Sequence, residues 1–348
     1  MFLLSIVIFI RSPGKLMPYD NVLEESIVEK IFVEINGTKQ GMIIKGTNTA
    51  NPIILFLHGG PGLPEYFLAD TITGLEDHFT VCWWDQRGGG LSYNSDFDPN
   101  SITVNQLVDD AIEVTNYLRE RFQQDKIYLM GHSWGTFIGI QIAAKSPELY
   151  NAYISVAQIT NQYESEQIAY NYMLEQYAII GDTRMTKKLS GYASEIPGTF
   201  SNDYLSSALR DEAMHKLRIG TTRDMTSVIT GVFFPIWWCQ DYTIKEKINI
   251  WRGKAFLRST SLSSEMYSSD LVELFPSLDI PVYFMSGVYD YTVFYKLTEA
   301  YFEQIEAPIK GFYTFHESAH SPMFEEPQKF VQILVEDVLK EQIALADF

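Results

Sequence analysis

Cysteine is scarce in this chain, with only Cys82 and Cys239 among 348 residues. Neither lies in a CxxC pair or at the spacing of zinc ligands, so the sequence indicates no disulfide framework and no cysteine-based metal site. Basic residues are also few, because 26 lysines and arginines stand against 44 aspartates and glutamates, a net charge of −18. Phosphate binding requires a basic surface, so nucleic acid is not an expected partner.

The sequence also contains no apolar run long enough to span a membrane, because a membrane-spanning helix needs roughly 20 apolar residues. The nearest approach is residues 1–10, which are almost wholly apolar and are followed by Arg11. This run has neither the positive start nor the small-residue cleavage site of a secretory signal. Two interpretations stay open: a weak membrane contact, as from part of a longer anchor, or a short arm packed on the body. We expect a cytoplasmic protein in which any membrane association comes from this arm.

What the chain does have is a globular composition, 46 % hydrophobic and 20 % charged. Asn36-Gly37 between two alternating apolar runs predicts a β-hairpin over about residues 27–44. Helical spacing of apolar residues predicts helices over residues 104–122 and from 327 to about 345. Short, mainly apolar runs recur at residues 53–57, 81–84, 127–130, 153–157, 282–285 and 311–315. This alternation predicts an α/β fold with a mostly parallel central sheet flanked by helices.

The strand pattern is interrupted once, between about residues 159 and 271, where only helical patterns are found. We therefore predict a helical cap at 159–271 inserted into a core formed by residues 27–158 and 272–348, preceded by an N-terminal arm at 1–26. One large α/β core with an insertion is an ordinary size for a chain of 348 residues.

The motif Gly131-x-Ser133-x-Gly135 lies between a predicted buried strand and a predicted helix, where a nucleophile elbow is expected. Side chains at the two glycines would clash with the neighbouring strand and helix in so tight a turn. An incidental serine in a strand-to-helix turn is the alternative. The position of the motif favours Ser133 as the catalytic nucleophile.

A second glycine-rich turn, His-Gly-Gly-Pro-Gly at residues 58–62, follows an earlier predicted strand. Attack on a carbonyl creates an oxyanion, which backbone N–H groups can stabilise if the chain approaches closely. We predict that the N–H groups of Gly60 and Trp134 form this oxyanion hole, with Gly59 as the alternative to Gly60.

The predicted base and its orienting carboxylate come from the last two strands. Asp290 follows a late predicted strand and His320 follows the last one, which gives the chain order Ser, Asp, His. Histidine would take the serine proton, and the carboxylate would fix its tautomer. His316 lies nearer the strand end and Asp279 precedes its strand, so both are weaker candidates.

At these positions the sequence resembles the proline iminopeptidase branch of the α/β hydrolases. The resemblance rests on residues 58–62, on Trp-Asp-Gln-Arg-Gly-Gly-Gly-Leu-Ser at 84–92, on Gly-His-Ser-Trp-Gly at 131–135 and on His-Ser-Pro at 320–322. It implies an α/β-hydrolase fold with an inserted helical cap, a hydrolase without a cofactor or metal, and release of N-terminal residues from short peptides. Asp85, Gln86 and Arg87 would shape the wall of the site.

The predicted cap departs from this family, because the W-x-x-W-E arrangement that holds the substrate ammonium is missing and Trp237-Trp238 precedes Cys239-Gln240. Glu164, Glu166 and Glu175 are the candidate acids, and of these we take Glu164 and Glu175, with Trp238, as predicted substrate-binding residues. The main hypothesis is a serine aminopeptidase that acts on short peptides. A carboxylesterase or lactonase for small apolar esters is the alternative, and a non-catalytic binding module is a remote one.

Overall fold

A computed structural model of the chain describes residues 12–19, 25–196 and 198–348, and it contains an eight-stranded sheet. The bounds of the strands are β1 Ile27–Ile35, β2 Thr38–Gly46, β3 Ile53–Leu57, β4 Thr80–Trp84, β5 Ile127–His132, β6 Tyr150–Val156, β7 Val282–Gly287 and β8 Lys310–Phe315. The order across the sheet is β1-β2-β4-β3-β5-β6-β7-β8.

The sheet opens with the predicted hairpin and is otherwise parallel. Ile35 pairs with Thr38 across the Asn36-Gly37 turn, and β2 also runs antiparallel to β4. All pairings from β4 through β3 to β8 are parallel. Every residue of β3 and β4 is buried, as expected of strands that are covered on both faces. The predicted mostly parallel α/β sheet is confirmed.

Helices cover both faces of the sheet, and a further group of helices is inserted along the chain between β6 and β7. Their bounds are α1 Leu75–His78, α2 Val104–Phe122, α3 Trp134–Lys145, α4 Gln162–Ile179, α5 Thr183–Ser190, α6 Asn202–Leu205, α7 Ala208–Lys216, α8 Phe234–Trp238, α9 Ile244–Leu257, α10 Leu262–Ser268, α11 Leu271–Leu274, α12 Tyr295–Gln304, α13 Pro322–Glu325 and α14 Pro327–Ile333. Short 3₁₀ turns cover Tyr66–Thr71, Gly90–Ser92, Pro99–Ser101 and Pro147–Leu149, and π turns cover Ile229–Phe233 and Leu334–Val338.

Helix α2 illustrates why the sequence forms these elements. The Thr103 hydroxyl accepts the N–H of Gln106 and so satisfies one of the free donors at the start of the helix. Its apolar residues recur at helical spacing, and Leu107, Ala111 and Val114 are buried against the sheet. The helix covers the residues that its apolar spacing predicts.

The stretch between β6 and β7 is helical, with α4 to α11 and no strand of the sheet among its described residues. The predicted cap at 159–271 falls within this stretch, which we call the helical segment. The limits set for the cap, the core and the N-terminal arm stay a prediction.

The closing helix is shorter than the predicted one, which extended to about residue 345. Helical structure ends at Val338, the last residue of the π turn. The buried Asp337 carboxylate accepts the N–H groups of Ala344 and Leu345, so the chain folds back on the helix instead of continuing it. An acidic side chain that bonds to backbone further along offers the chain an alternative to the helical ladder.

The start of the chain is described only from residue 12. Pro13 forms a bridge with Thr243, and the Gly14 N–H donates to the Gln240 carbonyl at 3.1 Å. The membrane contact predicted for residues 1–10 lies outside the described residues. Within the described ranges, no helix combines the length and the apolar character needed to cross a membrane.

Candidate active site

Ser133 lies in a sharp turn between β5 and α3. Its backbone has φ 53° and ψ −120°, a conformation that a serine rarely adopts. A Cβ on Gly131 would lie 2.6 Å from the Gly135 carbonyl oxygen, and a Cβ on Gly135 would overlap the Leu57 carbonyl oxygen. Backbone strain of this kind clusters at active sites, and the steric role expected of the two glycines agrees with these contacts.

Asp290 and His320 form a buried pair at the same edge of the sheet. Asp290 follows β7 and has no solvent exposure, and one of its oxygens accepts the N–H groups of Thr292 and Val293 at 2.8 and 2.9 Å. The other oxygen accepts the Nδ1–H of His320 at 2.9 Å. Because Nδ1 donates to the carboxylate, Nε2 of the neutral ring carries the lone pair. This is the tautomer that a general base needs.

Ser133 Oγ and His320 Nε2 are the two atoms between which the proton is expected to pass. Neither Ser133 Oγ nor His320 Nε2 makes a hydrogen bond to any residue that the structure describes. Catalytic hydrogen bonds are often long in unliganded enzymes and shorten with substrate. The His320 ring lies beside the elbow, with its centroid 4.9 Å from that of His132, the residue that precedes Ser133.

The backbone N–H groups predicted for the oxyanion hole differ in whether another residue already binds them. The Gly59 N–H donates to Glu65 Oε2 at 3.0 Å, so it is occupied and the alternative assignment of Gly59 is disfavoured. Gly60 has φ 126°, lines the same cavity as Ser133, and its N–H has no partner among the described residues. Trp134 is the first residue of α3, where helical N–H groups have no intrahelical acceptor.

Gln86 ties the oxyanion loop to the elbow helix. Its backbone N–H and side-chain amide donate to His58 Nε2 and to the His58 carbonyl, at 3.2 and 3.0 Å. Its amide oxygen accepts the indole N–H of Trp134 at 2.9 Å. Arg87 instead faces away from this network and pairs with both oxygens of the buried Asp110. Gln86 thus supports the oxyanion loop from behind, and none of residues 85–87 is among the described residues that line the cavity of Ser133, so the wall-shaping role stays a prediction.

A second acid–histidine pair, Glu65 and His132, is buried directly beneath the elbow. His132 Nδ1 lies 2.7 Å from Glu65 Oε1, and its Nε2 lies 2.9 Å from the His320 carbonyl oxygen. A carboxylate and a carbonyl are both acceptors, so both ring nitrogens donate and His132 is an imidazolium. The pair joins the oxyanion loop, through Gly59, to the loop that carries His320.

The electrostatics of this pair support the charged form. Burial alone would lower the His132 pKa, but the Glu65 carboxylate raises it above its ordinary value. Burial alone would raise the Glu65 pKa, but the His132 charge and hydrogen bond lower it. The two shifts agree on an ion pair. Neither Glu65 nor His132 is among the catalytic or binding residues predicted from the sequence.

A cavity of about 200 Å³ opens above Ser133, between the sheet edge and the helical segment. Gly60 and Ser133 lie at its floor, and helices α4, α7, α9 and α10 supply most of its walls. The polar and charged residues lining it include Gln162, Glu166, Ser207, Arg210, Asp211, Lys254, Arg258 and Tyr267.

The structure does not bring the three predicted substrate-binding residues to this cavity. Glu164 and Glu175 are exposed on α4, and neither is among the described residues that line the cavity. Trp238 is 57 % exposed and borders a different cavity, together with Asp70 and Gln240. The predicted role of these three residues is left without geometric support.

Glu166 is the acidic residue of α4 that does line the cavity. It is fully buried, and its carboxylate accepts from Arg210 Nε at 2.7 Å and Nη2 at 2.5 Å and from Gln162 at 3.1 Å. The signal that distinguishes it is helical spacing, since residues 162, 166, 169, 170, 173 and 177 share the buried face of α4. Glu164 and Glu175 lie off that face.

No group of three or more His, Cys, Asp or Glu side chains among the described residues is arranged to hold a metal ion.

Residues 52–230 match a family model described as the alpha/beta hydrolase fold. The chain is also 31 % identical over 312 residues to a protein named probable aminopeptidase YbaC from Bacillus subtilis, covering 89 % of this chain and 96 % of that protein. The chain belongs to the α/β hydrolase family. The predicted fold and the predicted hydrolase class are thereby confirmed.

More distant members support the same branch of the α/β hydrolases. A proline iminopeptidase from Saccharolobus solfataricus is 24 % identical over 307 residues, covering 84 % of this chain and 86 % of that protein. The crystal structure of proline iminopeptidase from Mycobacterium smegmatis superposes with a TM-score of 0.64 at 17 % identity, covering 90 % of this chain and 98 % of that chain. The predicted resemblance to the proline iminopeptidase branch is confirmed.

Proposed function

We propose that this α/β hydrolase removes the N-terminal residue from short peptides through an acyl-enzyme on Ser133. His320 Nε2 takes the proton of Ser133 Oγ as that oxygen attacks the scissile carbonyl. The N–H groups of Gly60 and Trp134 stabilise the resulting oxyanion, and His320 then protonates the leaving amine. A water molecule, activated by His320 in the same way, releases the N-terminal residue and restores Ser133.

The observation that carries this proposal is the elbow itself. Ser133 is held at positive φ above the sheet edge, and a His320 oriented by Asp290 at 2.9 Å lies beside that edge. This arrangement supports acyl transfer, a reaction in which a serine, a base and oxyanion donors act on one carbonyl.

The preference for a free N-terminus rests on the relatives and on Glu166. Both curated relatives described above are named as an aminopeptidase or a proline iminopeptidase, with coverage of most of each chain. Glu166 lines the cavity of Ser133 and is a buried carboxylate. A buried substrate ammonium requires such a partner. We therefore assign ammonium recognition to Glu166 rather than to Glu164 or Glu175.

One observation favours a second candidate, an esterase for small substrates. Arg210 donates to both oxygens of Glu166 and also pairs with Asp211 at 3.0 Å, so the negative charge of the cavity is already balanced by the protein. A neutral ester would need no additional carboxylate. The same serine, base and oxyanion donors would hydrolyse it, since ester and amide share the tetrahedral intermediate.

A paired rate assay separates the two candidates. Alanine and proline p-nitroanilides with a free amine are compared with their N-acetylated forms and with p-nitrophenyl acetate and butyrate, with Ser133→Ala as the blank. The aminopeptidase proposal expects turnover of the free-amine anilides and at least about tenfold loss on acetylation, the scale of one charged hydrogen bond. Turnover of the esters alone would replace it with the esterase.

We further propose that residues 159–271 act as a cap over the cavity of Ser133, because helices of this segment supply most of its walls. We also propose that residues 1–10, with the exposed apolar side chains beside residue 12, contact a membrane surface weakly. Ile229, Phe233, Phe234 and Trp238 in the helical segment are exposed. The chain leaves the described region at residue 12 beside this patch, where Gly14 bonds to Gln240. Exposed aromatic side chains next to an apolar terminus suit the membrane interface.

Vesicle sedimentation tests this contact. Because the net charge of −18 disfavours anionic lipid, uncharged phosphatidylcholine vesicles are the appropriate probe. The full chain should sediment with them, and the double variant Phe234→Ser/Trp238→Ser should sediment less. Leu345→Ser, which changes an exposed residue at the other end of the chain, serves as the matched control. Equal sedimentation of all three would refute the contact.

A further inference from the structure

The cavity above Ser133 carries an excess of positive charge in a strongly acidic protein. Its charged lining residues are the acids Glu166 and Asp211 and the bases Arg210, Lys254 and Arg258. The chain as a whole has a net charge of −18. Three of its 26 basic residues are therefore gathered at one small opening next to the nucleophile.

The charges in this group are paired unequally. Arg210 binds both oxygens of Glu166 and one oxygen of Asp211, so these three side chains form one connected cluster, in which Glu166 Oε2 accepts one bond from the described residues and retains a lone pair for a further donor. Lys254 Nζ and the Arg258 guanidinium make no hydrogen bond or ion pair with any described residue. The contact found for Lys254 is with the ring of Trp251, 5.9 Å from Nζ.

Lys254 and Arg258 also connect the cavity of Ser133 to a larger one. A second cavity, of about 550 Å³, is lined by both residues and shares Ser207 and Asp211 with the first. A ligand that reacts at Ser133 and is longer than one residue can therefore extend past both cations. In a peptide cleaved after its first residue, the part that extends away is either the leaving group or the acyl side chain.

An unpaired ammonium in a partly buried site is unfavourable. Burial accordingly lowers the pKa of Lys254, the nearby charge of Arg258 lowers it further, and the charge of Asp211 acts in the opposite direction. A carboxylate bound there would relieve this cost, and a guanidinium can hold a carboxylate through two parallel bonds. The position of both residues at the end of α9 suits cations through the helix dipole. The dipole does not explain why they face the cavity of the nucleophile.

We propose that Lys254 and Arg258 form a subsite that binds a carboxylate of the substrate, supplied by the free C-terminus of a di- or tripeptide. The subsite would hold the leaving group while Ser133 is acylated. It would restrict the enzyme to short peptides that end in a free acid. This inference rests on the proposed function of Ser133 but not on the peptide bond itself, since an ester with an acidic leaving group would also fit.

Matched substrates test the subsite. The kcat/KM of alanyl-alanine is compared with that of alanyl-alanine amide, which differs by the terminal charge. Glutamyl p-nitroanilide is compared with glutaminyl p-nitroanilide, which places the charge in the acyl part instead. We expect the free dipeptide to be preferred at least about tenfold, the scale of one charge-assisted hydrogen bond.

The same ratios are measured for the double variant Lys254→Gln/Arg258→Gln, after circular dichroism has shown that it is folded. We expect its preference for the free acid to fall below about twofold, the scale expected once the charged bonds are gone. Lys245→Gln is the matched control, because Lys245 is exposed on the same helix and lines neither cavity. It should keep the wild-type ratio.

The outcomes are distinguishable from those that test the peptidase activity. If no peptide is cleaved, the proposed aminopeptidase is wrong, and 4-acetoxybenzoate against its methyl ester still tests a carboxylate in the leaving group. A preference confined to the glutamyl anilide and lost in the double variant would keep the carboxylate site but place its ligand in the acyl part. No preference in the wild type, or a preference that the double variant retains, overturns the proposal.

Discussion

Replacing Glu65 removes one partner of the buried ion pair beneath the elbow. In Glu65→Ala the His132 ring loses its acceptor at 2.7 Å and the Gly59 N–H loses its acceptor at 3.0 Å. Removing one partner of a buried ion pair costs about 3–5 kcal/mol, because the remaining charge is left unpaired. We expect the free energy of unfolding of Glu65→Ala to fall by that amount near pH 6.

Glu65→Gln should be milder, because its amide keeps the shape of the site. The amide oxygen can still accept from Gly59, and the amide N–H can donate to a neutral His132 whose Nε2–H still reaches the His320 carbonyl. The loss is then the difference between charged and neutral hydrogen bonds, about 1–2 kcal/mol. The two variants should therefore rank in stability as wild type, Glu65→Gln, Glu65→Ala.

The pH dependence of this loss follows from the two pKa shifts. The His132 pKa is raised in the folded protein, so its contribution is complete below its ordinary value and is lost as pH rises through the folded pKa. The Glu65 pKa is lowered, so its contribution is complete above its ordinary value and is lost as pH falls through the folded pKa. The stability gap between wild type and Glu65→Gln should be widest between about pH 4.5 and 6.5, the ordinary pKa values of the two groups.

Urea unfolding across pH 4–9 measures this gap, with Glu120→Gln, an exposed residue of α2, as the control for loss of one negative charge. The reasoning is refuted if Glu65→Ala unfolds within about 0.5 kcal/mol of the wild type, the range of ordinary surface substitutions. It is also refuted if the gap to Glu65→Gln does not change with pH.

Three further predictions follow from the site. Asp290→Asn should lower kcat/KM for p-nitrophenyl butyrate by about 10³–10⁴-fold, because the amide can favour the wrong His320 tautomer; unchanged turnover would exclude Asp290 from the site. Gly135→Ala should fail to accumulate as folded, active protein, because the new Cβ overlaps the Leu57 carbonyl oxygen, whereas Gly37→Ala meets no atom within 4 Å and should still fold, with only the smaller stability loss of an alanine at φ 72°. Burial raises the Asp85 pKa to about 8, partly offset by the Leu91 N–H. Because this raised pKa makes the charged form unfavourable in the folded state, Asp85 lowers stability as pH rises toward that value. The Tm of Asp85→Asn relative to the wild type should therefore rise with pH between pH 5 and 9, and a flat difference would contradict the assignment.

The parts of the fold that could be predicted are those with a local signal. Asn36-Gly37 fixes a hairpin, and unbroken apolar runs such as residues 53–57 mark strands covered on both faces. The helix of residues 104–122 follows from its apolar spacing. The end of the closing helix had no local signal, because it depends on the Asp337 carboxylate bonding to Ala344 and Leu345.

The residues of the site also differ in whether the local sequence could predict them. Ser133, Asp290 and His320 could be proposed because a strand end precedes each of them along the chain. The cations proposed to bind the substrate carboxylate could not, since Lys254 and Arg258 lie far from Ser133 in sequence and line its cavity only because the helices pack together. Glu166 could have been distinguished from Glu164 and Glu175, because helical spacing places it on the buried face of α4. An acidic residue is ordinarily expected on the exposed face, so this spacing was not used.

The most direct measurement is covalent labelling of the nucleophile. The full chain is treated with a fluorophosphonate, and its intact mass and peptide masses are compared with those of Ser133→Ala treated in the same way. The account predicts one adduct per chain, carried by the peptide that contains Ser133, and no adduct in the variant. An adduct on another residue, or equal labelling of Ser133→Ala, would contradict the assignment of Ser133 as the nucleophile.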